Sequence, residues 1–356
     1  MTATDEPHVL LRTEGRAGFI TLNRPRAINA LTHPMVLRID EALTAWERDP
    51  AVETVVIDGA GERGLCAGGD IRAIHDDARA GGSASPGFWR DEYRLNARIA
   101  RFRKPYVAFM DGIVMGGGVG VSAHGSVRIV TERSRVAMPE TGIGFVPDVG
   151  GTYLLSRTPG ELGTHLALTG TPVGAADALL TGLADHVVRS EDLPRLAAEL
   201  TRAPAHEVVP GFARTPEAYA GELAAQREWI DACYAADTVE TVIDRLLDFG
   251  APEAKEAATT LLGRSPTALK ATLAALRRAR RLDSLESVLD MEFRLSCAAL
   301  SSHDLVEGIR AQVVDKDRDP RWFPSELSAV TDEAVARWFA PPRTGDLGLA
   351  AGTPAS

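Results

Sequence analysis

A chain of 356 residues, 45% hydrophobic and 25% charged, is long enough for one large domain or a core with an appendage, and its composition excludes a disordered or fibrous protein. A net charge of −10, spread along the chain, leaves no coherent basic surface and argues against nucleic acid as a partner. The opening MTATDEPHVLLRTEG lacks an apolar signal core, no run is long enough to span a membrane, and Cys66, Cys233 and Cys297 show no paired spacing, so a cytoplasmic protein in a reducing compartment is expected.

In chain order, GFITLN (18–23) and ETVVIDGA (53–60) read as strands, being rich in β-branched residues and closed by turn formers. Between them Val36, Ile39, Leu43 and Trp46 recur at helical spacing. Asp70 is placed to cap a helix starting at Ile71. ARAGGSASPG (78–87) reads as a loop, because Gly, Ser and Pro interrupt helices. PYVAFMDGIVMG (105–116) and VRIVTERSRVAMP (127–139) are two further buried or half-buried strands. Strands divided by helices imply an α/β layered fold. From about residue 190 the composition is helical, with Ser265-Pro266 as a helix start. The expected division is a core over 1–200, a mainly helical region over 201–340 and a loose tail over 341–356.

Two glycine clusters, CAGGDIRAI (66–74) and DGIVMGGGVGVSAHG (111–125), each follow a strand-like run and precede a helix former. Without a Cβ their amides approach a ligand closely, and amides at a helix start lack intrahelical partners. Two such turns together make an oxyanion hole; separately they are ordinary strand-to-helix turns. Neither matches a phosphate or dinucleotide fingerprint. Glu140 and Asp148 lie in AMPETGIGFVPDVGGTYLL (137–155), where little polar side chain surrounds them. They are either pocket acids for proton transfer or nucleophilic attack, or acids that cap turns. Ser122 and His124 do not form a nucleophile elbow, since the residue two after Ser122 is not glycine. Cys66 reads as a small buried filler, and Met35, Met110 and Met115 as core residues. The histidines show no metal-ligand spacing, so no metal is expected.

TLNRPRAINAL (21–31), CAGGDI (66–71), MGGGVG (115–120), MPETGIGFVPDVGGTYLLSR (138–157) and LALTG (166–170), in that order, resemble the enoyl-CoA hydratase/isomerase (crotonase) superfamily. DEY (91–93), PDVGG (147–151), SPTALK (265–270), MEFRLS (291–296) and HDLVEGIRAQVVDKDRDPRW (303–322) are similar to its 3-hydroxyisobutyryl-CoA hydrolase branch. The resemblance implies an α/β fold, a crotonase-like spiral of ββα units with a helical C-terminal region. It implies oxyanion-hole amides at Gly69 and Gly117, catalysis by Glu140 and Asp148, and a substrate-binding Glu92. Arg26 and, more remotely, Lys316 are implied contacts for CoA phosphates. It also implies an acyl-CoA thioester as substrate, no cofactor beyond the CoA that the substrate carries, and self-association into a homo-oligomer. Hydratases of the superfamily use a second glutamate just after the triple glycine, which here is Gly120, and typically carry glycine where this chain has Asp148. The resemblance therefore implies thioester hydrolysis in valine breakdown, with an enoyl-CoA hydratase and a non-catalytic acyl-CoA-binding or assembly protein as the alternatives.

Overall fold

The computed structural model describes residues 6–215 and 221–350. The chain opens with β1 (Val9–Glu14), β2 (Ala17–Leu22) and α1 (His33–Arg48). β3 (Thr54–Gly59), α2 (Ile71–Ala80) and α3 (Ala84–Ala100) follow. β4 (Tyr106–Met110), β5 (Ile113–Met115) and the short α4 (Gly117–Gly120) repeat the order strand, strand, helix. β6 (Val127–Val130), β7 (Arg135–Ala137) and α5 (Gly151–Leu155) repeat it again. After α6 (Leu162–Thr169), α7 (Ala175–Leu180) and the last strand β8 (His186–Val187), the described chain is helical. Its helices are α8 (Leu193–Leu200), α9 (Ala205–Val208), α10 (Leu223–Tyr234), α11 (Val239–Asp248) and α12 (Pro252–Leu262). They continue with α13 (Pro266–Ala279), α14 (Leu285–Leu300), α15 (His303–Ile309) and α16 (Asp332–Arg337). The recurring ββα order is that of the expected spiral.

Packing divides the chain differently from element type. One compact unit comprises Met1–Gly69, Leu95–Val136 and Val173–Gly221, and a second comprises Asp70–Arg94, Ala137–Pro172 and Glu222–Ser356. The expected boundary near residue 200 follows where strands stop; these interleaved units follow which side chains pack together.

The first unit is built on a six-stranded sheet ordered β1-β2-β3-β4-β6-β8, antiparallel only between β1 and β2. Alternation along a strand sends successive side chains to opposite faces. Phe19, Val56, Val107, Phe109 and Ile129 bury one face against Leu196 and Leu200 of α8. Each such large apolar side chain contributes about 1.5–3 kcal/mol on leaving water. At Gly18 a Cβ would meet the Trp46 ring of α1 at 2.8 Å, so glycine there sets the closeness of helix to sheet. Val36, Ile39, Leu43 and Trp46 are all buried, as their spacing predicts.

The second unit is helical. Asp70 caps α2 by accepting from the Ala73 amide at 3.5 Å, and Ser265 caps α13 by accepting from the Ala268 amide at 3.1 Å, both as expected. No helix among the described residues is long and apolar enough to cross a membrane.

Four local expectations are corrected. Residues 78–87 are not a loop: α2 runs to Ala80, and α3 begins at Ala84. Gly81 closes α2 at φ 62°, where glycine is unstrained, and Pro86 falls in the first turn of α3, where no amide is needed. The Asp77 carboxylate accepts from the Ala84 and Ser85 amides and so joins the two helices. Residues 105–116 and 127–139 each hold two short strands, because Gly112 turns left-handed at φ 62° and Ser134 bonds back to Thr131 and Met110. β1, which the sequence pattern alone does not mark, is amphipathic and pairs with β2 along its whole length. Finally, 341–350 is not loose. Asp346 forms an ion pair with Arg294, and the Leu349 and Ala350 amides donate to Asp290; residues 351–356 lie outside the described residues.

Candidate active site

The glycine turns belong to the first unit. The segment 64–69 runs beside 112–117: the Cys66 amide donates to the Ile113 carbonyl at 3.1 Å, and the Met115 amide donates to the Cys66 carbonyl at 2.9 Å. A Cβ at Gly68 would lie 3.7 Å from the Gly117 nitrogen, and one at Gly118 would lie 2.4 Å from the Cys66 carbonyl oxygen. The turns that carry Gly69 and Gly117 are therefore adjacent, and glycine is what allows it. Gly116 enters α4 at φ 48°, ψ −119°, a conformation open only to glycine. Leu31 is bridged to Gly69, and its amide donates to the Gly68 carbonyl at 2.8 Å, anchoring the first turn to the TLNRPRAINAL segment.

The other candidates in this unit divide. The Ser122 Oγ is fully buried and donates to the Gly118 carbonyl at 2.6 Å, steadying α4. Cys66 is fully buried, its Sγ 3.4 Å from the Gly68 amide, as a filler would be. Arg26 lies exposed on a short 3-10 turn, Pro25–Ala27, whose backbone is held by Arg63.

The acids belong to the second unit. Glu140, at 7% exposure, opens a 3-10 turn, Glu140–Ile143. That turn is tightly set. Thr141 donates to the Leu168 carbonyl at 3.0 Å, a Cβ at Gly170 would meet Pro139 at 3.0 Å, and one at Gly308 would meet Ile143 at 2.4 Å. This explains LALTG and HDLVEGIR as parts of a support around Glu140. SPTALK plays a similar part, since Ser265 donates to the buried Asp304 at 2.5 Å. Lys316 lies exposed beyond α15 at φ 61°.

Asp148, at 6% exposure, precedes Val149 at φ 53° and Gly150 at φ 80°. A β-branched residue in the left-handed region is strained, and the surroundings must hold it there. They do so through two groups that sequence reasoning misses. Glu292 of α14 is fully buried; its carboxylate accepts from the Gly150 amide at 2.6 Å, the Thr152 amide at 2.9 Å and the Thr152 hydroxyl at 2.6 Å. Tyr93 of α3 donates to Asp148 Oδ2 at 2.6 Å, and its oxygen lies 2.7 Å from Ser296 Oγ. Their signal is present in MEFRLS: an acid and a serine one helical turn apart, among the buried Leu289, Phe293 and Leu295.

Glu92, beside Tyr93 on α3, is 2% exposed. Glu92, Glu140, Asp148 and Glu292 thus lie close enough in the interior of this unit for their charges to act on one another. Burial, and then the charge of Asp148, push Glu140 and Glu92 well above the carboxylate range. Burial pushes Asp148 up to about 7, opposed by the Tyr93 hydrogen bond, and pushes Glu292 up to about 8, opposed by its own three donors. Among the described residues, Glu140 Oε2 and Glu92 Oε1 are buried without a hydrogen-bond partner. The charge on Asp148 raises Glu140, so the two carboxyls titrate as a pair. Among the described residues no cluster of three or more His, Cys, Asp or Glu is arranged to hold a metal ion.

Comparison with known proteins identifies the family. The enoyl-CoA hydratase/isomerase family model matches residues 17–339. The mitochondrial 3-hydroxyisobutyryl-CoA hydrolase of Rattus norvegicus is 44% identical over 345 residues, covering 94% of this chain and 89% of the relative. That of Gallus gallus is 42% identical over 350 residues, covering 96% and 91%. A crystal structure described as a carnitinyl-CoA dehydratase from Mycobacterium thermoresistibile is 53% identical, with a TM-score of 0.92 over 96% of this chain and 98% of that one. The fold is shared with that structure throughout.

Proposed function

The chain belongs to the enoyl-CoA hydratase/isomerase family, and from that premise we propose that it hydrolyses 3-hydroxyisobutyryl-CoA to 3-hydroxyisobutyrate and CoA, a step of valine breakdown. The observation that carries the reading is the placement of the second acid. Position 120 is a buried glycine at the end of α4, and position 148 is a buried aspartate held by Tyr93. The hydratases that this chain resembles use two glutamates toward their water, and the glycine at 120 supplies no carboxylate. The names of the rat and chicken relatives support the same choice.

In the proposed reaction Glu140 first passes its proton to Asp148 and then, ionised, attacks the thioester carbonyl, and the amides of Gly69 and Gly117 take up the charge that develops on its oxygen. Each such donor contributes roughly a hundred- to a thousandfold in rate. Collapse breaks the C–S bond and leaves a Glu140 anhydride, while protonated Asp148 delivers its proton to the departing thiolate. Water then adds to the anhydride carbonyl as Asp148 takes its proton, which frees the hydroxyacid and restores Glu140. Glu140 acting as general base toward water is the variant of this route without an anhydride. Glu92 accepts the substrate hydroxyl, and Arg26 is a contact for a CoA phosphate. No cofactor enters this scheme, and nucleic acid has no part in it. Self-association into a homo-oligomer belongs to the proposal, as does a cytoplasmic location. The location is supported by Cys66, Cys233 and Cys297, whose spacing along the chain shows no pairing, whereas the relatives are named as mitochondrial.

The similarity to the Mycobacterium thermoresistibile protein, described as a dehydratase, favours a second reading, dehydration or hydration of an acyl-CoA. Thiol release separates the two. Incubation with 3-hydroxyisobutyryl-CoA is expected to liberate free CoA thiol. An enoyl absorbance change without thiol would establish the hydratase reading, and tight acyl-CoA binding with neither change would establish a binding protein.

A further inference from the structure

We propose that Tyr93, backed by Ser296, is a positioning residue that dictates through which oxygen Asp148 exchanges its proton; only the use made of that proton rests on the hydrolase reading above. The geometry leaves few choices. The Tyr93 ring is fully buried and meets Phe293 edge-on, with ring centroids 6.3 Å apart, so its hydroxyl cannot swing away. That hydroxyl has a single hydrogen and two polar neighbours, Asp148 Oδ2 at 2.6 Å and Ser296 Oγ at 2.7 Å. An ionised carboxylate only accepts, so Tyr93 donates to Oδ2 and Ser296 in turn donates to the Tyr93 oxygen. The chain of donors then points one way, from α14 through Tyr93 into Asp148.

A proton arriving at Oδ2 would have to reverse both hydroxyls. One arriving at Oδ1 leaves the Tyr93–Ser296 chain as it stands. Oδ1 is thus the working oxygen and Oδ2 the anchored one. The same helix also fixes the backbone beneath: Glu292, one turn before Ser296, holds the amides of Gly150 and Thr152. The titratable groups acting on Asp148 are Glu92 and Tyr93 on α3, Glu140 on its 3-10 turn and Glu292 on α14. The three other acids oppose a charge on Asp148; of the four, Tyr93 alone favours it. Burial also keeps the Tyr93 phenol protonated throughout the working pH range, so it always has a hydrogen to donate to Asp148.

The test titrates Asp148 directly, without turnover. In pH-difference infrared spectra the carboxylic C=O band of Asp148 is identified by its loss in Asp148→Asn. In Tyr93→Phe the midpoint of that band is expected to rise by about one pH unit or more, since a donor to the ionised form has been removed. In Ser296→Ala a smaller rise is expected, because the phenol becomes a weaker donor. An unmoved midpoint in Tyr93→Phe overturns the proposal, and Ser296→Ala decides if that variant does not fold by near-ultraviolet circular dichroism. Under the hydrolase reading Tyr93→Phe also lowers kcat about tenfold with KM little changed, and it moves the alkaline limb of the pH–rate profile up with the infrared midpoint. A parent enzyme that releases no thiol would remove the hydrolase reading, and the infrared result would still judge Tyr93.

Discussion

Replacing Glu292 by glutamine keeps the shape of a fully buried side chain but removes its ability to ionise and one of its two acceptor oxygens. Those oxygens take up three donors, the Gly150 amide on one side and the Thr152 amide and hydroxyl on the other. In either orientation the glutamine NH2 faces a backbone N–H, and a buried donor left unpaired costs about 1–3 kcal/mol. A second effect depends on pH. Burial moves this carboxyl from 4.5 to about 8. Between those values the folded chain keeps a proton that the unfolded chain has released, so stability falls as pH rises. At 1.36 kcal/mol per unit the parent loses on the order of 5 kcal/mol across that window. Glutamine does not titrate and escapes this loss. The variant is therefore expected to be less stable than the parent near pH 5, by about 1–3 kcal/mol, and equal or more stable at pH 8.5. Denaturant unfolding of both proteins at the two pH values measures the difference. A difference of the same sign and size at both would refute the reasoning that Glu292 folds as a neutral acid.

Glu140→Gln should lower thiol release by at least about a thousandfold, since an amide neither attacks the carbonyl nor accepts a proton; calorimetric titration with the acyl-CoA should show binding little changed. Gly118→Ala forces a Cβ against the Cys66 carbonyl, 2.4 Å away, and so spreads the two glycine turns. Overpacking there should cost about 1–3 kcal/mol in unfolding experiments, and kcat should fall roughly a hundredfold, as for loss of one oxyanion donor. Parent-like kcat in this variant would separate the turns from the chemistry.

Where a local rule suffices, the sequence is a reliable guide. The 3.6-residue recurrence of Val36, Ile39, Leu43 and Trp46 marks the buried face of α1, and Ser265-Pro266 marks the start of α13. Where two local rules compete, it is not. Gly81, Gly82 and Pro86 break a helix in its interior but close one and open the next at its ends, so 78–87 reads as a loop although α2 and α3 occupy most of it. The short pairs β4–β5 and β6–β7 each read as one strand because a turn inside an apolar run leaves the apolar pattern unbroken.

Around the acids the division is similar. Glu140, Asp148 and Glu92 stand out as carboxyls in apolar or glycine-rich surroundings, and ordered motifs name them. Tyr93, Ser296 and Glu292 do not stand out, because a tyrosine, a serine and a glutamate on helices serve equally well on a solvated face.

The sequence by itself determined the alternation of strands with helices, the family and which acids stand in apolar surroundings, since these depend on residue type and near spacing. Only the tertiary structure decided that Glu292, 142 residues beyond Gly150, lies against the turn carrying Asp148, and that the Tyr93 hydroxyl rests on its carboxylate. Burial and hydrogen-bond geometry control how readily an acid holds its proton. Both are set by side chains far apart along the chain, so they exist only once α3, α5 and α14 have packed.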